Sequence, residues 1–132
     1  MSRLRRLPPI ITDKTIVMAG SVTDNFSTRE TSGVIRGFDV NTGELLWAFD
    51  PGAKDPNAIP SDEHTFTFNS PNSWAPAAYD AKLDLVYLPM GVTTPDIWGG
   101  NRTPEQERYA SSILALNATT GKLAWSYQTV HH

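Results

Sequence analysis

The chain of 132 residues is 39% apolar and 19% charged, with 11 basic against 14 acidic side chains, a formal charge of −3 and no cysteine. This balance belongs to a chain that packs, in one domain at most, and excludes disorder, collagen, coiled coil, disulfide scaffolds and thiolate metal sites. With a pI of about 5.5 there is no surplus of Lys and Arg for a phosphate backbone, so nucleic acid is not an expected partner.

The basic start Met1-Ser2-Arg3-Leu4-Arg5-Arg6 runs into Pro8-Pro9, where a secretory leader would need its apolar segment. No apolar stretch approaches the ~20 residues that span a bilayer. Nothing in the chain is therefore expected to export or anchor it. Residues 1–7 read as an N-terminal extension ahead of a domain over 8–132. From there ten prolines and nine glycines interrupt the sequence at short intervals, and no window holds helical apolar spacing beyond about two turns. The chain reads as all-β, with strands predicted at 15–19, 33–40, 44–49, 74–79, 83–89, 112–117 and 123–128. One helical turn or two is expected over 103–109, with Pro104 at the first helical position.

A repeat decides the architecture. Asp39-Val40-Asn41-Thr42-Gly43-Glu44-Leu45-Leu46-Trp47 recurs 78 residues later as Asn117-Ala118-Thr119-Thr120-Gly121-Lys122-Leu123-Ala124-Trp125. Each copy is a hairpin: the glycine supplies a positive φ, the Asx side chain caps turn N–H groups, and the tryptophan closes the second strand. A second repeat precedes it, Ile11-Thr12-Asp13-Lys14-Thr15-Ile16-Val17-Met18-Ala19-Gly20 against the segment from Ala78 to Gly91. Each unit is then strand, tight turn, strand, loop, strand, Asx turn and strand ending in Trp. Four strands per unit is the plan of a β-propeller blade, and a ring of ~4 to 8 blades is needed to close one. Two units are therefore expected to be part of a larger propeller. Trp47 and Trp125 read as core residues, while the neighbours of Trp74, Pro71, Asn72 and Ser73, are loop-like.

The Asp-x-x-Thr-Gly-x-x-x-Trp ending resembles the blade repeat of the pyrroloquinoline quinone (PQQ) dehydrogenases. The loops Gly20-Ser21-Val22-Thr23-Asp24-Asn25, Ser70-Pro71-Asn72-Ser73-Trp74-Ala75-Pro76 and Met90 to Gly100 are similar to those of the membrane-bound, glucose-oxidising branch of that family. The resemblance implies a PQQ cofactor with Ca²⁺ or Mg²⁺, oxidation of glucose to gluconolactone, ubiquinone as electron acceptor and a place on the periplasmic side of the inner membrane. It implies a cofactor-stacking role for Trp74, hydrogen bonds to the cofactor from Ser21 and Thr23, and metal ligation by Asp24 and Asn25, with Glu30 competing in the same loop. Thr94 stands where related alcohol dehydrogenases carry an asparagine ligand, so a contact to the cofactor is expected there, or from Thr93. The family's catalytic base lies a few residues beyond the histidines that match His131-His132, so no residue here is assigned that role, and a fragment inactive by itself is expected. Read without the resemblance, the repeats leave open a non-catalytic propeller scaffold. Asp62-Glu63-His64 reads as a polar loop, with a metal site as the sharper alternative.

Overall fold

Two sheets repeat one plan. In the computed structural model, which describes residues 8–23, 25–61 and 64–131, the first antiparallel sheet is built from β1 (Ile10–Ile11), β2 (Thr15–Met18), β3 (Ile35–Asp39) and β4 (Leu45–Phe49), hydrogen-bonded in chain order. The second is built in the same way from β5 (Ala78–Asp80), β6 (Leu85–Pro89), β7 (Ser112–Asn117) and β8 (Leu123–Gln128). The short helix α1 (Pro104–Arg108) lies between β6 and β7. The seven expected strands are all present, and β1 supplies the opening strand that the unit plan required. The extension expected over residues 1–7 lies outside the described residues.

Turn chemistry closes each unit as the sequence predicts. Asp39 Oδ1 accepts from the backbone N–H groups of Asn41 and Thr42, both at 2.8 Å, and Gly43 turns at φ +75°. Asn117 Oδ1 accepts from the N–H groups of Thr119 and Thr120 at 3.1 and 2.8 Å, and Gly121 turns at φ +70°. The repeat extends to the ladder itself. Gly37 pairs with Trp47 ahead of a register shift at Phe38, and Ala115 pairs with Trp125 ahead of one at Leu116. A bulge at the same place in both hairpins skips one residue, so each tryptophan stands on the same face relative to its turn.

The two sheets share one core. Val17, Ile35, Trp47 and Phe49 from the first meet Val86, Leu88, Leu114 and Leu116 from the second, and Tyr109 closes over Phe49 with ring centroids 5.3 Å apart. Period-two alternation explains the choice, since the residues that meet across the sheets are two apart on each strand and the intervening ones point to the opposite face. Trp47 crosses between the sheets. Its indole lies where a Cβ on either Gly37 of its own sheet or Gly121 of the other would overlap the ring, and Nε1 donates to Ala118 O at 3.1 Å. Asn57 adds a second tie, its Nδ2 donating to Ala48 O and Gly121 O, each at 3.0 Å.

Two expectations are corrected. Trp125 does not occupy a core position: it is 44% exposed, tilted against Tyr87 with centroids 5.9 Å apart. Its strand β8 is the outer edge of the second sheet, with no sheet among the described residues on its far side. The strand expected over 74–79 is only Ala78–Asp80. Pro76 has no N–H to give a ladder, and the segment before it bonds elsewhere: Gly91 N–H donates to Asn72 O at 2.8 Å and Ser73 Oγ donates to Pro89 O at 2.9 Å. Trp74 is thereby left on a loop at the end of β6.

Candidate functional site

The segments that leave the ends of the strands near Gly20 and Gly91 meet at one end of the two sheets. Asn25, at φ +64°, is the residue that joins them. Its backbone N–H donates to Thr94 Oγ1 at 2.7 Å and its Oδ1 accepts from Thr94 Oγ1 at 3.3 Å and Asp96 N–H at 3.1 Å. Its Nδ2 donates to Asp96 Oδ2 at 3.2 Å. A left-handed backbone is tolerated by asparagine better than by most side chains, and here it turns both the amide and the N–H of Asn25 toward the 94–96 segment.

That segment is held from two further directions. Asn69 Nδ2 donates to Thr94 O at 2.8 Å. Arg102, whose side chain is 5% exposed, donates through Nη2 to Pro95 O and Asp96 O, each at 3.0 Å, and through Nη1 to Glu107 Oε1 at 3.0 Å. Glu107 sits in the first turn of α1, where negative charge suits the helix N-terminus. Thr103 caps that helix in a capping box with Gln106 and Pro104 opens it, as predicted.

Beside the 94–96 segment lies a cleft of about 260 Å³ lined by Asn72, Trp74, Gly91, Val92, Asp96 and Ser111. Trp74 is 59% exposed, so its indole is a wall of this cleft and not a core ring. Gly91 keeps the wall flat: a Cβ there would stand 3.3 Å from Trp74 Nε1. Asn72 Oδ1 and Thr93 Oγ1 are buried without a hydrogen-bond partner among the described residues. The volume of the cleft is just below the ~300 Å³ at which small-molecule pockets begin.

The structure thus brings Asn25, Thr94 and Trp74 to one region, through Asp96, which both bonds to Asn25 and lines the cleft with Trp74. Ser21 is half-buried and Thr23 exposed, both in the same loop as Asn25. Asp24 lies outside the described residues, as do Asp62, Glu63 and His132. His64 and His131 are exposed. Thr93 is buried and Thr94 is only 3% exposed, and neither lines the cleft. The donor set for a cation fits poorly on what is described. The Oδ1 expected to ligate metal is taken by two donors, and Glu30 Oε1 accepts from Ser27 N–H and Oγ at 2.8 and 3.2 Å. No group of three or more acidic or histidine side chains that could hold a metal ion occurs among the described residues.

Four residues of this region, Asn69, Asn72, Asp96 and Arg102, carry no role in the sequence reading. A positive φ, a buried amide or a bond to a backbone carbonyl leaves no local pattern, and Asn72 and Asp96 stand out there only as members of their loops.

A four-stranded unit repeated twice, with the tryptophan of one unit seated on the turn of the next, defines a wedge of a β-propeller, with a cleft where the connecting loops converge. The sequence profile described as "PQQ: Glucose/ethanol/alcohol dehydrogenase, beta-propeller domain" matches residues 3–132, and the chain belongs to that family. Over 125 residues, 95% of the chain, it is 68% identical to quinoprotein glucose dehydrogenase A of Acinetobacter calcoaceticus. Over 126 residues, also 95% of the chain, it is 57% identical to the quinoprotein glucose dehydrogenase of Gluconobacter oxydans (strain 621H). The chain spans 16% of the length of each of these relatives. Among solved structures, the quinohemoprotein alcohol dehydrogenase ADHIIG of Pseudomonas putida HK5 superposes with a TM-score of 0.65 at 24% identity, over 92% of this chain and 19% of that one. At that identity the match speaks for the fold alone. No helix among the described residues is long and apolar enough to cross a membrane.

Proposed function

We propose that this chain supplies two neighbouring blades, and one wall of the cofactor site, to a PQQ-dependent dehydrogenase that oxidises glucose or a related aldose to the lactone. One observation carries the reading: Trp74 stands exposed in a cleft also lined by Asp96, which is tied to Asn25 and lies two residues after Thr94. The 68% identity to a quinoprotein glucose dehydrogenase supports the choice of substrate class. In this reading ubiquinone is the electron acceptor, the working side is the periplasmic face of the inner membrane, and the remaining blades come from outside these residues.

PQQ, when bound, supplies a planar acceptor for the two electrons lost as the anomeric hydroxyl becomes the lactone carbonyl. The chain's own residues do the rest of what can be assigned. Trp74 offers a flat apolar face, which suits a fused ring through contact area and dispersion without competing for its polar edge. Gly91 leaves room beside that indole. Ser21 and Thr23 supply hydroxyls for carboxylates, and Thr94, whose own hydroxyl is bonded to Asn25, contributes to the cofactor once that pair opens. A Ca²⁺ or Mg²⁺ ion draws on Asp24 in this scheme, and Asn25 joins it only by giving up its bonds to Thr94 and Asp96, so no step is assigned to a cation. No residue of the chain is assigned as base.

Titrating a full-length protein that contains these two blades with PQQ, with and without Ca²⁺ or Mg²⁺, while following tryptophan fluorescence tests the reading. Saturable quenching that Trp74→Ala removes is the expected result. Quenching that survives Trp74→Ala, or none with all blades present, would overturn it in favour of a scaffold propeller.

A further inference from the structure

We infer that Asn69 is a positioning residue for the cofactor wall, a single buried amide that fixes where Thr94 stands. The inference rests on the proposed role of Thr94 and adds to it a residue outside the cleft. Asn69 is 9% exposed and sits at φ +58°, a left-handed conformation that few side chains other than asparagine accept. Three bonds radiate from it to three different segments. Its N–H donates to Glu30 O at 2.8 Å, in the loop that carries Asn25. Its side-chain Nδ2 donates to Thr94 O at 2.8 Å. Its carbonyl accepts from Gln106 Nε2 at 3.0 Å.

Gln106 is the residue whose Oε1 accepts from Thr103 N–H at 2.9 Å in the capping box, so the same side chain that starts α1 also holds Asn69. The loop after β2, the loop after β6 and the helix are therefore referenced to one residue of the segment between the blades. With its carbonyl fixed by Asn69, Thr94 has only rotation about χ1 left for its hydroxyl, and that hydroxyl receives Asn25 N–H at 2.7 Å. Neither Asn69 nor Thr94 lines the cleft, so the effect of the Asn69 amide is exerted on Thr94 and on the Asn25 and Asp96 contacts beyond it.

Two substitutions separate positioning from general stability. Asn69→Gly keeps the left-handed backbone and deletes the amide; Asn69→Asp keeps the shape and puts an acceptor against Thr94 O. Amide hydrogen exchange of the full 132-residue chain, read by NMR, is the first measurement, and PQQ titration of the full-length protein with the same substitutions is the second. Both variants are expected to speed exchange at the amides of Asn25 and Asp96 by about tenfold or more while Val86 and Leu116 stay protected, and to raise the PQQ midpoint by a similar factor. Wild-type exchange at Asn25 and Asp96 overturns the inference, as does equal loss of protection at Val86 and Leu116, which would make Asn69 a stability residue only. A wild-type midpoint in both variants overturns it too. Absence of any PQQ response in the wild-type protein with all blades present removes the proposed function instead, a result distinct from either.

Discussion

The indole of Trp47 in the first sheet lies against Gly121 in the turn of the second, with Nε1 donating to Ala118 O at 3.1 Å, so one blade's last strand is keyed into its neighbour's hairpin. Gly121 meets two demands at once, a positive φ of +70° and the absence of a Cβ under the ring. Gly43, its counterpart in the first hairpin, meets only the first: its φ is +75° and nothing lies within 4 Å of where a Cβ would be.

Comparing the two glycines therefore isolates the contact between blades. Gly43→Ala should cost about 1–2 kcal/mol from the left-handed backbone alone. Gly121→Ala adds about 1–3 kcal/mol of overpacking on Trp47. Urea unfolding of the two variants checks the gap, and equal midpoints would show that the ring does not bear on Gly121.

The tryptophans should divide in the same way. Trp47 is 5% exposed and Trp125 is 44% exposed. Trp47→Ala is expected to destabilise by about 3–5 kcal/mol, as large core truncations do. Trp125→Ala should stay below about 1 kcal/mol. Thermal unfolding followed by circular dichroism distinguishes the two.

Much of this was legible in the residues, for local reasons. The Asx and glycine positions of the two hairpins act within a few residues of themselves, so Asp39, Gly43, Asn117 and Gly121 could be read with their geometry. The same holds for Thr103 and Pro104 at the start of α1. Trp125 was misread because its motif is that of Trp47, whereas burial depends on what lies across from the strand, and that is not written in the strand. The site was legible only in part. Trp74 and Thr94 were singled out through a resemblance to a family, while Asn69 acts on a residue 25 positions away and Arg102 works largely through the backbone carbonyls of Pro95 and Asp96, so neither leaves a side-chain pattern in the sequence. The amide bonds of Asn25 to Thr94 and Asp96, which join two loops, were not legible either.

Arg102 offers a test of how firmly the 94–96 segment is held. Arg102→Met removes the bonds to Pro95 O, Asp96 O and Glu107 while keeping most of the buried stem. Loss of charged hydrogen bonds of this kind costs about 1–3 kcal/mol, with Glu107 partly exposed and so partly screened. The expected signature is faster hydrogen exchange at Asp96 N–H than at strand amides, and Arg102→Lys should restore little, since an ammonium cannot reproduce the planar fork.

Acid should loosen the first hairpin and spare the second. Hydrogen bonds from the Thr42 and then the Asn41 backbone N–H hold the Asp39 carboxyl below its ordinary pKa. A depressed carboxylate stabilises the fold above the ordinary carboxylate range, and that contribution disappears as pH falls through the lowered folded value. Asn117 does the same work in the second hairpin without titrating. NMR shifts of the Asn41 and Thr42 amides should move on acidification while those of Thr119 and Thr120 do not, and Asp39→Asn should remove the difference.

The cofactor role of Trp74 is tested most directly by the indole N–H signals of ¹⁵N-labelled chain during PQQ addition, because four tryptophans report separately from one sample. Trp74 Nε1–H should shift most, with Trp47 and Trp125 nearly still. A spectrum in which Trp125 moves most, or in which Trp74 stays put while PQQ binds, would contradict it.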